Sequence, residues 1–519
     1  MPGLFTKSSP RLLALSEGPA GASPAAPVSR PARRWGYQVF HTAFGMGVFQ
    51  VVSFVTGVLI ARGLGSERQG RFQLALSAGI FTVTLAKMGL DEGVAYLIPK
   101  YEALKPARVS ALIAYSLGVT FLISLALGAL IHAASGQLER HVFGLEGIAS
   151  DLRFAVLLLP ATMLLLMTAS VLRGLGRSHE RAYVYYYLVG LSFLCAVAAF
   201  SVPGLTVTGA FIARAGSFAL GAGVALALIV RAVRPGRWRL ARGEVSELHT
   251  FAGLLVFVGF FQYVVEQPLV DLVILGHVAT AEDVGVYSVA ARVGALVAIT
   301  ANALTVVLAP SLASSASSGD AGRLVGQYAR ASEWMARVCL FTGVSLILMR
   351  KEVLGLFGSE YRAGETLLVI FLAGQIVVGL AGLNSPLLLA SGNARTEFIL
   401  TAISAAVMIC GGVLMGRSFG AAGVAFATSL SAVLLAIARR VVCARLFEAR
   451  LEKQTRGILL IGLTAGAAGC VVQELMRGSG VLGTAASVAV FACAFWLLSL
   501  KCGMRLDLSF VYRDGGRGL

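Results

Sequence analysis

Lys87, Arg214, Glu266, Asp271 and Arg292 place ionisable groups inside stretches that are otherwise apolar. In hydrocarbon such groups are costly unless they face a water-filled cavity or find partners, so each is a candidate for function. Arg292 is the deepest cation: it follows Gly285 by seven residues, about 10 Å of helix at ~1.5 Å per residue. Its guanidinium stays charged and bonds two oxygens at once, which suits a phosphate or pyrophosphate; a structural ion pair with Asp271 or Glu266 is the alternative. Arg214 stands six residues into its own apolar run, near the outer end, where a long side chain can also reach the surface. Glu266 and Asp271 flank Pro268, which removes a backbone donor and kinks a helix. Gln262 with Glu266, and Gln267 with Asp271, have the spacing of one helical face. A half-buried carboxylate can take up a proton or a sodium ion, so these two are candidates for ion coupling or, equally, for a pair with a neighbouring Arg.

Other polar residues are weaker candidates. Arg62 opens a turn and could gate a cavity or anchor lipid headgroups. Lys87 and Asp91 are four residues apart and could pair at an inner gate or close an ordinary helix end. Asn302 and Asn384 could bond sugar hydroxyls, although interhelical bonds are the commoner use of asparagine in membranes. Seven cysteines and six histidines are scattered without metal-ligand spacing, so neither metal nor cofactor is expected. No GxSxG elbow, GxxxxGK phosphate loop, HExxH pair or DxD-like cluster occurs; the missing phosphate loop argues against ATP hydrolysis by this chain.

The elements that position these residues are apolar runs, each near the ~20 residues that a bilayer core requires. Fourteen follow one another, at about 36–61, 72–90, 109–131, 153–172, 182–202, 208–230, 249–276, 284–310, 331–349, 364–390, 397–416, 421–443, 457–475 and 480–500. Lipid forces their backbones to bond internally, which predicts helices. With 57% hydrophobic and 13% charged residues and a mean hydropathy of +0.81, no sizeable soluble domain fits between them. The expected fold is an all-α polytopic membrane protein: two parallel six-helix lobes around a central cavity, followed by two C-terminal helices.

Charge orients the bundle. Lys and Arg gather in the N-terminal tail, around Lys100 to Arg108, Arg173 to Arg181, Arg231 to Arg242 and Arg439 to Arg456, and after Lys501. The alternate joints hold far fewer, which predicts that both termini are cytoplasmic. The net charge of +17 then lies against anionic lipid rather than marking a nucleic-acid surface. Residues 1–34, rich in Pro, Ala, Ser and Gly, read as a disordered cytoplasmic tail without a signal peptide. Residues 35–233 form the expected N-lobe, 234–248 a cytoplasmic linker, 249–447 the C-lobe, 456–500 the last two spans and 501–519 a second cytoplasmic tail.

The lobes echo one another. VFQVVSFVTGVLIARGLGSERQGRFQLALSAGIF from Val48 resembles FFQYVVEQPLVDLVILGHVATAEDVGVYSVAARVGAL from Phe260. Each has an FQ pair, an apolar run, a turn with glycine and acids, and then Gly-x-Phe or Gly-x-Tyr. Gly70 and Phe72 answer Gly285 and Tyr287, while Arg292 answers Ser77. Both units start on the same side, as parallel repeats do.

The stretches LIARGLGSERQGRFQLALS, MGLDEGVAYLIPKY, VDLVILGHVATAEDVGVYSVAARV, LAPSLA, LGLFGSEYRAG and LLLASGNARTEF resemble those of the polysaccharide transporter, or oligosaccharide flippase, family. Its superfamily includes multidrug and toxin extrusion antiporters and lipid II flippases. The resemblance covers roughly residues 36–500. It implies an inner-membrane transporter that flips undecaprenyl-pyrophosphate-linked sugars outward by alternating access for O-antigen, capsule or exopolysaccharide assembly, beside polymerases and glycosyltransferases. Arg292, Arg214, Arg62, Asn302 and Asn384 are the expected substrate contacts, and Glu266, Asp271, Pro268, Lys87 and Asp91 the expected coupling or gating group. Lipid II flippase and multidrug exporter are the near alternatives. A membrane polymerase or ligase would need a larger outer loop than the one expected at about 132–153.

Overall fold

The computed structural model describes residues 32–233, 236, 240–250, 252–253, 269–317, 321–390, 393–447, 452–476 and 479–501. Most of the two tails, together with Glu266 and Pro268, lies outside the described residues, as do parts of the linker and the seventh span.

Ten described helices are long and apolar enough to cross a membrane. Two of them are double. Helix α1 (Ala32–Ala86) runs 55 residues and α16 (Ala394–Phe447) runs 54; at ~1.5 Å per residue either far exceeds a ~30 Å bilayer core. Each is broken by a glycine outside helical geometry, Gly65 at φ 76° and Gly420 at φ 56°, a region that costs glycine least. These breaks fall between the predicted spans 36–61 and 72–90, and 397–416 and 421–443.

After α1 come α2 (Leu90–Leu104), α3 (Val109–Leu138), α4 (Ile148–Ala155), α5 (Leu158–Gly174), α6 (Ser178–Ala182), α7 (Val189–Ser201) and α8 (Val207–Ala232). Helix α3 continues as a π turn to Phe143, so much of the expected 132–153 loop is helical. A linker helix, α9 (242–250), leads to α10 (Leu269–Val278), α11 (Ala281–Ser317), α12 (Ala321–Leu348) and α13 (Arg350–Gly355). The C-lobe ends with α14 (Glu365–Ala381), α15 (Asn384–Ala390) and α16. The predicted span at 364–390 is corrected here: Gly382, at φ 95°, divides it into α14 and α15. Helices α17 (Glu452–Leu475) and α18 (Val481–Lys501) pack on α12, where Gly462 meets Leu340 and Phe341 stacks 5.5 Å from Phe491. The protein is thus a multi-pass, all-α membrane protein of two lobes with two appended helices.

The buried core shows how the lobes sit. One continuous cluster joins Ile60, Leu64, Phe72 and Phe143 of the N-lobe to Tyr287, Phe357, Tyr361 and Leu372 of the C-lobe. Toward the other end the lobes keep separate cores: Val94, Leu97, Met163 and Ile229 in one, Leu324, Tyr328, Leu387 and Cys443 in the other. Among the described residues, the lobes are therefore sealed at the Gly65 end and parted at the linker end. Glycine makes the seal close. A Cβ on Gly70 would stand 2.0 Å from Ala281 O, and one on Gly285 1.9 Å from Ser66 O, so the two echoed turns meet backbone to backbone. Arg62 Nε donates to Leu356 O at 2.6 Å and Tyr361 Oη to Ala61 O at 3.2 Å, clasping the same end.

The linker belongs physically to the N-lobe. Leu248 and Ala252 are buried in its core, and Ala252 O fills the space beside Gly89. Lys100 reaches Glu247 at 2.5 Å, Lys105 and Arg108 reach Glu244 at 3.4 and 3.6 Å, and Tyr115 Oη lies 2.9 Å from His249 Nε2. The Lys100 hydrogen bond holds the Glu247 carboxyl below its usual range, and the Ala241 amide, helped by Lys105 and Arg108, does the same for Glu244. A depressed carboxylate pKa stabilises the latch above the unfolded value and loses that contribution as pH falls through the folded one. The latch is therefore expected to hold at neutral pH and to loosen below about pH 4. Glu244→Gln with Glu247→Gln should raise trypsin cleavage at Arg242 at pH 7 by a few-fold at most, because Lys100, Lys105 and Glu247 are partly exposed and pairs open to water are worth about 1 kcal/mol or less. Amide hydrogen exchange in α9 that, once corrected for its intrinsic pH dependence, is unchanged between about pH 7 and about pH 3.5 in the parent chain would contradict the latch.

Candidate functional site

Between the lobes lies a cavity of about 360 Å³, walled by α1, α7 and α8 on one side and α11 on the other. Arg214 and Arg292 both line it, with Gln50, Ser53, Thr56 and Tyr185 as further polar groups and Phe49, Phe54, Phe72, Phe193 and Phe218 as aromatic walls. No carboxylate occurs among its described lining residues.

Each guanidinium is positioned by a different device. Arg214 lies 5.4 Å from the Phe193 ring and 5.3 Å from the Phe218 ring, a sandwich that supports a cation without neutralising it. It turns into the cavity rather than outward, which corrects the expectation that it could snorkel. Arg292 projects from α11 across the lobe boundary. It donates from Nη2 to Gln73 Oε1 at 3.2 Å, and its Nη1 occupies the space a Cβ on Gly57 would need, 2.2 Å away. Among the described residues its hydrogen-bond partner is a neutral amide of the N-lobe and not Asp271; Glu266, the other partner considered from sequence, lies outside the described residues. The two cations act on each other electrostatically, so an anion between them is favoured by both.

Asp271 is buried elsewhere, inside the C-lobe. Its Oδ2 accepts the Tyr287 hydroxyl at 2.9 Å, the Thr428 side chain is a further partner, and Oδ1 has no protein partner among the described residues. A carboxylate in such surroundings, with one lone-pair face unmet, can take a cation or a proton. Tyr287 is the residue that answers Phe72 in the sequence echo.

The other candidates sit apart from the cavity. Arg62 is in the clasp at the Gly65 end. Lys87 lies beyond the last residue of α1, not inside a span, and pairs with Asp91 at 2.9 Å in the turn to α2. Asn384 is 3% exposed, accepts from Tyr328 Oη at 2.5 Å and donates to Ala381 O at 3.0 Å, so it ties the α14–α15 break to α12 and does not face this cavity. Asn302 falls within α11; its side chain lies outside the described ones. Sequence reasoning did not single out Tyr185, Phe193 or Phe218, which are neutral and carry no motif, nor Gln73, which lies within the echoed stretch but is neutral. Phe49 and Gln50 did have a signal, as the FQ pair that opens the echo.

Comparison with known proteins agrees with this architecture. A solved lipid II flippase, MurJ in an inward closed conformation, is similar at TM-score 0.73 and 15% identity, covering 91% of this chain and 99% of that one. An inward-facing multidrug resistance MATE family transporter of the MOP superfamily is similar at TM-score 0.67 and 15% identity over 78% of this chain and 96% of that one. A MOP superfamily transporter from Pyrococcus furiosus is similar at TM-score 0.55 and 17% identity over 81% and 96%. These likenesses establish a shared fold. A search of curated protein sequences finds no match. The sequence itself matches the family described as polysaccharide biosynthesis protein over residues 38–316, more than half its length, and with the two-lobed fold around a cationic cavity this places the chain in the polysaccharide biosynthesis protein family.

Proposed function

We propose that this protein flips undecaprenyl-pyrophosphate-linked oligosaccharide from the inner to the outer leaflet of the bacterial inner membrane, by alternating access, for O-antigen, capsule or exopolysaccharide assembly. The observation that carries the reading is the pair of guanidinium groups, Arg214 and Arg292, in one inter-lobe cavity without a lining carboxylate among the described residues. A pyrophosphate is the lipid-linked group such a pair fits. A multidrug exporter of cationic cargo would want acids on these walls. Lipid II carries the same pyrophosphate, and the family match favours a polysaccharide precursor over it.

In this reading the protein moves its substrate without catalysing a reaction, and polymerase and glycosyltransferase machinery are its working partners. The Gly65 end faces outward and the linker end faces the cytoplasm, following the Lys and Arg asymmetry. Arg62 belongs to the outer gate, and the Lys87–Asp91 pair to the inner rim. Asp271 is the group assigned to proton or sodium coupling; Asp271→Asn should stop transport that depends on an ion gradient while leaving substrate binding in place, and gradient-driven transport at the parent rate would remove it from that role.

Loss of the gene should strand completed lipid-linked glycan on the cytoplasmic leaflet and leave no surface polymer. A precursor that reaches the outer leaflet but is not elongated would replace this reading with a polymerase. Orientation has its own test in a cysteine-free background. Single cysteines at Glu282 and Glu360 should react with an impermeant thiol reagent from outside intact cells, and one at Arg242 only after lysis; the reverse pattern would invert the topology.

A further inference from the structure

Tyr183–Leu188, in the sequence YVYYYL, winds as a π-helix between α6 and α7. Such turns are rare and gather at functional sites. This one sets Tyr185 and Tyr186 beside Phe49 of α1, with ring centroids 6.0 and 5.9 Å away, and holds the two tyrosine rings perpendicular at 5.4 Å. Two glycines make the room. A Cβ on Gly190 would stand 3.1 Å from Phe49 Cδ2, and one on Gly45 would stand 3.1 and 3.2 Å from the rings of Tyr187 and Tyr186. All three rings remain half-buried, and among the described residues neither the Tyr185 nor the Tyr186 hydroxyl takes a hydrogen-bond partner.

The cluster opens onto the cavity of the two arginines. Phe49 and Tyr185 line it, Gln50 and Ser53 stand beside them, and the charges of Arg181 and Arg214 both act on the Tyr185 phenol. From Phe49 to Gly57, where Arg292 approaches α1, eight residues of helix cover about 12 Å. Along α1 the wall therefore passes from Gly57, where the Arg292 guanidinium arrives from α11, to Ser53 and Gln50 and then to Phe49, whose ring meets Tyr185. Aromatic faces take up the apolar C–H face of a pyranose, while amides and phenols bond its hydroxyls. Tyr185, a polar-tipped ring in the cavity lining, is more than a helix interface needs for filling alone.

We propose that Phe49, Tyr185 and Tyr186 form a pyranose-stacking subsite for the sugar that follows the pyrophosphate. The proposal rests on the reading of the Arg214–Arg292 cavity as a pyrophosphate site. The test uses the full-length protein in lipid nanodiscs and two probes, bare undecaprenyl pyrophosphate and undecaprenyl-pyrophosphoryl-N-acetylglucosamine, with affinities measured for both. The parent protein should bind the sugar-bearing lipid about tenfold more tightly. Tyr185→Leu and Tyr186→Leu, which keep an apolar though smaller side chain in the helix packing, should bring that ratio close to one, and Tyr185→Phe, which keeps the ring, should retain most of it. Arg292→Ala should weaken both probes alike. A parent protein without preference for the sugar-bearing probe, or folded leucine variants that keep the preference, would overturn the subsite. Failure of the parent to bind bare undecaprenyl pyrophosphate would instead overturn the pyrophosphate reading beneath it.

Discussion

Arg292→Ala should reduce surface glycan to a small fraction of normal while the protein reaches the membrane in ordinary amount. The residue crosses the lobe boundary, faces the cavity and, among the described residues, has a neutral amide as its hydrogen-bond partner, a contact that leaves its charge available to an anion. Losing one charge-assisted contact costs about 1.5 to 3 kcal/mol, or one to two powers of ten in binding. Lysine keeps the charge and loses the two-pronged geometry, so Arg292→Lys should recover part of the function. Combining Arg292→Ala with Arg214→Ala should exceed either alone. Gln73 is a neutral partner, so its charge balance does not collapse when Arg292 is removed, and the variant should fold. Normal surface glycan in a correctly inserted Arg292→Ala protein would end the proposed role; absence of folded protein would recast Arg292 as an inter-lobe strut.

Gly285→Val should disable transport through an opposite mechanism, by preventing closure. The contacts at this turn are with backbone, a Ser66 carbonyl 1.9 Å from where the Cβ would be built, and backbone cannot rotate away as a side chain can. Overpacking of this kind costs about 1 to 3 kcal/mol. The least costly escape is separation of the lobes at the Gly65 end, a population shift of roughly one to two powers of ten. In a cysteine-free background, a single cysteine at Ser53 in the cavity should then react faster with impermeant reagent from the Gly65 side. Gly70→Val should behave alike, because its Cβ meets Ala281 O at 2.0 Å. Unaltered labelling together with normal transport in either variant would show that the glycine contact does not form the seal.

Most of the fold was legible because bilayer thickness and helical rise leave few choices, and the breaks at Gly65 and Gly420 fall where polar turns interrupt the apolar runs. The break at Gly382 did have a local signal in Gly382, Asn384, Ser385 and Pro386, but hydropathy averaged over the long apolar run passes over it. Arg292 stood out by its depth, yet its partner Gln73 is 219 positions away and belongs to the other lobe. Arg214 and Arg292 meet only because α8 and α11 face one another across the cavity, a tertiary fact that neither run contains. Asn384 misled for a related reason: an asparagine that bonds a sugar and one that secures a helix break look the same in sequence. The docking of α9 had a trace in the opposite charges of Lys100, Lys105 and Arg108 against Glu244 and Glu247, but which lobe the linker joins follows only from the burial of Leu248 and Ala252.

Movement of a lipid-linked glycan between leaflets by the purified protein is the most direct measure of the central claim. Vesicles containing undecaprenyl-pyrophosphate-linked oligosaccharide in both leaflets are first treated outside with an impermeant glycosidase, and the later appearance of fresh substrate at the surface is followed with time. The account predicts rapid renewal of cleavable glycan in vesicles that carry the protein, and loss of that renewal with Arg292→Ala. Renewal no faster than in protein-free vesicles, under each of a proton gradient, a sodium gradient and none, would contradict it.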